Sequence, residues 1–100
     1  MKRILLCCAA GMSTSLLVQR IKKVAEEEHY ECDVEAVPFK IDEPKIAEAD
    51  VVLLGPQVRY NLGKLQERYP DIPSGSIDMI AYGMCNGAAI LKQARDLMGE

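Results

Sequence analysis

One hundred residues, 49% of them apolar and 27% charged, are enough for one core and so for one domain. A net charge of −3 offers no basic face of the kind a nucleic-acid binder needs, and no apolar run nears the ~20 residues of a membrane span. Four cysteines, two adjacent and two isolated, lack zinc-site spacing. With no secretory signal they read as reduced thiols of a cytosolic protein, and one histidine, His29, limits acid–base chemistry.

In chain order, residues 3–8 form a continuous apolar run that predicts a strand buried on both faces. A loop of small residues follows, with Ser13 or Thr14 as N-cap of a helix. That helix places Leu16, Leu17, Ile21, Val24 and Ala25 on its apolar side and ends near Glu28-His29-Tyr30. Residues 32–37 alternate and predict a half-exposed strand near a sheet edge, stopped by Pro38. Pro44 suits the first turn of a short helix. Asp50 to Pro56 holds four consecutive apolar residues and predicts a central strand. Val58 to Tyr69 predicts a helix, Gly75 to Asp78 a short last strand, and Gly87 to Met98 the final helix. Strands alternating with helices imply a parallel α/β sheet covered on both faces. Ligands of such sheets bind beyond the carboxyl ends of the strands, here loops 8–15, 38–44, 55–60 and 78–86.

The stretch Cys8-Ala9-Ala10-Gly11-Met12-Ser13-Thr14-Ser15 puts a thiol where the first strand ends and a helix begins. Small residues let the backbone curl, Gly11 tolerates a positive φ, and the helix start offers unpaired N–H groups. Three hydroxyls add donors, so the loop is an anion cradle suited to phosphate. Such a cradle is expected to lower the thiol pKa. Strand alternation turns Cys7 to the other face, into the core, and selects Cys8 as the reactive thiol. Cys32 and Cys85 read as core or surface thiols, with an approach of Cys85 to Cys8 left open. The loop is no Walker A motif, since Gly-Lys-Ser/Thr is missing. Nor does it complete the Cys-x5-Arg-Ser/Thr signature of cysteine phosphatases, because Thr14 fills the arginine slot. Without that guanidinium, a contribution often worth several kcal/mol, hydrolysis should be slow. A cysteine that takes a phosphoryl group and hydrolyses it poorly is suited to passing it on.

These residues, with Ala49-Asp-Val-Val-Leu-Leu-Gly-Pro-Gln57 and Asp78 followed by Tyr82-Gly83, resemble the enzyme IIB component of the lactose/cellobiose (chitobiose) class of the bacterial sugar phosphotransferase system. The resemblance covers essentially the whole chain. It implies a four-stranded parallel sheet in the order 2-1-3-4, flanked by helices and similar to small tyrosine phosphatases. It further implies a cytoplasmic phosphotransferase in which Cys8 takes a phosphoryl group from a phosphohistidine on the enzyme IIA protein. The phosphocysteine passes it to a sugar, of the β-linked disaccharide type, held by the membrane permease enzyme IIC. Ala9 to Ser15 are then the phosphate-binding loop, and no metal or cofactor is implied. Family members often carry a polar residue after the cysteine, where Ala9 stands here. Pro38, Phe39, Pro56, Gln57, Arg59, Tyr60 and Tyr82, in the other carboxyl-edge loops, become docking candidates. Asp78 reads as a strand-end or cap residue, His29 as solvated at the far edge. A monomer that docks transiently is the default expectation. Two other readings stay open: a cysteine-dependent phosphatase or arsenate-reductase-like enzyme, and a non-catalytic anion-binding or redox module.

Overall fold

The computed structural model describes residues 1–9 and 15–100. Its elements are β1 (Lys2–Cys8), α1 (Ser15–Glu27), β2 (Cys32–Pro38), α2 (Pro44–Glu48), β3 (Val51–Leu54), a 3-10 segment (Pro56–Asn61), α3 (Leu62–Arg68), β4 (Ser74–Ser76), α4 (Met79–Gly83) and α5 (Gly87–Leu97). The four strands are parallel and lie in the order β2-β1-β3-β4, as expected. Register aligns the carboxyl ends: Cys8 lies opposite Pro38, Cys7 opposite Leu54, and Leu54 opposite Ser76.

The central strands are apolar throughout because each of their faces meets a helical layer. Ile4 to Cys8 and all of β3 are buried. Ile4, Leu6, Val51 and Leu53 pack with Leu17, Ile21 and Ala25 of α1 and Ile90, Leu91 and Ala94 of α5. On the other face Leu5, Cys7, Val52 and Leu54 pack with Ile46, Val58 and Leu65. The edge strand β2 buries only Val34 fully, which explains its alternating sequence.

Several elements depart from the sequence expectation. The helix expected over Val58 to Tyr69 divides into a 3-10 segment and α3. Val58 and Asn61 are both buried, and residues three apart stand directly in line in the tighter winding. The last strand starts one residue earlier and ends two residues earlier than expected, and Asp78 leaves the sheet to cap α4. The helix α4 itself was expected to be loop. Leu16 is 49% exposed, since it stands one position off the buried row Leu17, Ile21 and Ala25. The expected cap of α1 at Ser13 or Thr14 lies outside the described residues. At the far end of α1 the chain turns through His29, exposed as expected and at φ 55°. Tyr30 N then donates to Ala25 O at 2.8 Å, closing the helix end.

Candidate functional site

Cys8 ends β1 at the carboxyl edge, with its neighbours fixed by backbone hydrogen bonds. Phe39 N donates to Cys8 O at 2.9 Å, Gly55 N to Cys7 O at 2.8 Å, and Ile77 N to Leu54 O at 2.8 Å. These bonds extend the sheet one residue beyond each strand and leave the Cys8 side chain framed by β2, β3 and α4.

Alternation separates the two adjacent thiols as the sequence predicted. Cys7 is fully buried in the core beneath α2, α3 and the 3-10 segment. Burial, then the neighbouring Cys8 and Glu43, push its pKa up to about 12, so it holds its proton. Cys8 faces the α1–α4–α5 side, where Tyr82 of α4 meets it. The sulfur converges with two side chains over Gly55. A methyl group on Gly55 would lie 3.3 Å from Cys8 Sγ, 3.3 Å from Gln57 Oε1 and 3.5 Å from Tyr82 Cε2. A side chain at 55 would therefore crowd the sulfur, whereas its φ of −63° is open to any residue.

The direction of the Cys8 pKa corrects an expectation. The loop and helix were expected to lower it; burial raises it above its ordinary value, and the nearby Tyr82 phenol offsets that only in part. The thiol is 3% exposed at the strand end, and desolvation of a charged sulfur outweighs one neutral donor. The resting form is the protonated thiol. Tyr82 is raised in turn to about 12, by burial and by the Cys8 side chain, so it keeps its proton and stays a donor.

The family model for the lactose/cellobiose-specific IIB subunit of the phosphotransferase system matches residues 3–93. The chain belongs to this family. It is 41% identical to the oligo-beta-mannoside-specific EIIB component of Bacillus subtilis (strain 168), over 98% of this chain and 97% of that one. It is 39% identical to the galactose-specific EIIB component of Lactococcus lactis subsp. cremoris (strain MG1363), over 97% of this chain and 96% of the relative. The solution structure of the cellobiose-specific phosphotransferase IIB component from Borrelia burgdorferi is similar, with a TM-score of 0.79 and 41% identity, covering 98% of this chain and 92% of that one.

Of the residues singled out in this IIB chain, Ala10, Gly11, Met12, Ser13 and Thr14 lie outside the described residues. Ala9 is half-buried against the Cys7 core, and Ser15 is the exposed first residue of α1. Pro38 closes β2, Phe39 packs on the Cys7 core, and Pro56 opens the 3-10 segment. Gln57 stands beside the thiol, while Arg59 and Tyr60 are exposed on the 3-10 segment. Tyr82, a docking candidate from sequence, is a neighbour of the Cys8 sulfur. Asp78 is a cap, as expected: its carboxylate accepts from Ala81 N at 3.0 Å. Cys85 carries a φ of 50° just after α4 and lies near Tyr82. Sequence reasoning missed Gly55, whose only signal was a glycine directly after the central apolar run. It also missed the exposed apolar side chains Met79, Ile80 and Met84 around α4. None of the described helices is long and apolar enough to cross a membrane.

Proposed function

We propose that this IIB subunit carries a phosphoryl group on Cys8, between a phosphohistidine of the IIA protein and a sugar held by the IIC permease. The observation that carries the reading is the position of Cys8: a buried strand-end thiol on the functional edge of the sheet, opposite in orientation to its inert neighbour Cys7. The chemistry balances with a protonated thiol. As the sulfur attacks, the S–P bond forms, the N–P bond of the phosphoimidazole breaks, and the thiol proton passes to the departing ring nitrogen. In the second step the sugar hydroxyl attacks phosphorus, the S–P bond breaks, and the sulfur regains a proton from that hydroxyl. Both steps are in-line displacements in which positioning and charge stabilisation matter more than covalent chemistry by the protein.

The loop Ala9 to Ser15 is the proposed phosphate cradle, and α1 follows it in the chain. Arrival of a dianion changes the local electrostatics: a burial that disfavours thiolate also strengthens each N–H donor aimed at the phosphoryl oxygens. The donor protein and the permease both have to reach Cys8, so they use overlapping surfaces at different times. Met79, Ile80 and Met84, exposed beside the site, join Pro38, Phe39, Pro56, Arg59 and Tyr60 as docking residues. The subunit acts in the cytoplasm as a monomer and meets the membrane through its permease. A β-linked di- or oligosaccharide is the proposed cargo, in keeping with relatives named for oligo-β-mannoside and cellobiose.

Incubation with a phosphorylated IIA donor, followed by mass spectrometry under mild conditions, tests the reading. An adduct of one phosphoryl group on the peptide holding Cys8, lost in Cys8→Ser and kept in Cys7→Ala, is expected. An adduct that survives Cys8→Ser, or none with any donor, refutes it. Rapid release of inorganic phosphate in the absence of permease would favour the phosphatase reading.

A further inference from the structure

The sulfur of Cys8 and the ring of Tyr82 approach the same point from two elements. That point is the empty side-chain position of Gly55, 3.3 Å from Sγ and 3.5 Å from Cε2. Tyr82 is not a mobile surface residue. Its helix is capped by Asp78, its own N–H donates to Asp78 O at 2.9 Å, and its ring packs against the core shared by α1 and α5. The phenol is thereby presented to the thiol by a short helix whose other apolar side chains, Met79 and Ile80, face solvent. The inward side chains of α4 are Ala81 and Tyr82.

We propose that Tyr82 is the hydrogen-bond donor that holds the Cys8 sulfur for both transfers. This role rests on Cys8 being the phosphoryl acceptor; the contact itself does not. A donor to sulfur favours the anion over the neutral thiol, because a hydrogen bond to a charged acceptor is about twice as strong as one to a neutral group. It therefore acts when charge develops on sulfur, at attack on the phosphoimidazole and again when sulfur departs from phosphorus. No proton leaves Tyr82 in either step. The hydroxyl shares its hydrogen with sulfur while S–P is broken and is free to turn to a phosphoryl oxygen while S–P is intact. Gly55 has a matching part, since a methyl there would crowd the sulfur at 3.3 Å and touch the ring at 3.5 Å.

The test reads the sulfur without any phosphoryl chemistry. Cys8 alkylation by iodoacetamide is followed by peptide mass spectrometry from about pH 7 to about pH 11 for the wild-type chain, Tyr82→Phe and Gly55→Ala. In Tyr82→Phe the titration of Cys8 moves to higher pH, so alkylation at about pH 8 slows about tenfold for each unit moved, while the rates converge at the alkaline end. Gly55→Ala keeps the phenol but crowds the sulfur, and moves the profile the same way by less. A titration unchanged in Tyr82→Phe overturns the proposal, as does a drop by one factor at every pH, which marks altered access. If the wild-type chain shows this profile but never accepts a phosphoryl group, the carrier reading fails and the contact stands. With both intact, Tyr82→Phe slows phosphoryl arrival from the IIA donor and departure to sugar alike, where loss of a docking contact would slow only one.

Discussion

Two thiols one residue apart differ in everything that matters for chemistry. Cys7 is enclosed by apolar side chains of one layer, and Cys8 ends the strand on the other side, against Tyr82. Because Cys7 is enclosed and its pKa is pushed up to about 12, alkylation within this adjacent pair is expected at Cys8 in the native chain. Its rate should still be climbing as pH passes 9.0, which a pH series with peptide mapping checks. A plateau below that value would mean that the sulfur is held as thiolate at rest. The opposite facing of Cys7 and Cys8 was legible in the sequence through alternation, but its small-residue loop suggested a lowered pKa. Desolvation, which depends on what covers the strand end, is not written in the local sequence.

At the scale of elements, the closest helix contact is between α1 and α5. A methyl at Gly87 would meet the Arg20 carbonyl carbon and oxygen at 2.6 Å and Ile21 N at 2.9 Å. These are backbone atoms and cannot turn aside. Gly87→Ala should therefore cost ~1–3 kcal/mol, read as a lower urea midpoint. Gly63→Ala, with open space around it inside α3, should raise the midpoint slightly through helix propensity. The short α4 is the element that sequence patterning did not show. Five residues carry too little period to stand out, and Gly83 with Asn86-Gly87 reads as loop. Its one signal was Asp78, whose cap role was legible while the helix it caps was not.

Across the whole molecule, two cores share one sheet, and three groups within or beside them hold protons against alkaline pH. Cys7, Tyr30 and Tyr82 are each raised to about 12, chiefly by burial. A raised folded-state pKa favours the protonated form in the fold. That stability is present below the unfolded pKa, near 9.0 for Cys7 and 10.0 for the tyrosines, and is lost as pH climbs toward 12. Equilibrium unfolding should accordingly show stability falling over that window, and Cys7→Ala should flatten the fall by removing one group. Tyr30 also ties the chain end to the body: its hydroxyl donates to Glu100 Oε2 at 2.9 Å, and Arg95 lies 4.3 Å over its ring.

The sequence by itself determined the parallel α/β sheet, its buried central strands, its edge strand and the thiol that ends β1. Each of these follows from local periodicity and from the rule that a strand covered twice is apolar on both faces. Only the tertiary structure decided what surrounds that thiol. Gly55 and Gln57 come from the end of β3 and the 3-10 segment after it, and Tyr82 from a short helix, all more than forty residues away; they meet near Cys8 because the parallel register brings all carboxyl ends to one edge. Burial, and with it the protonation state of the sulfur, is a property of that meeting.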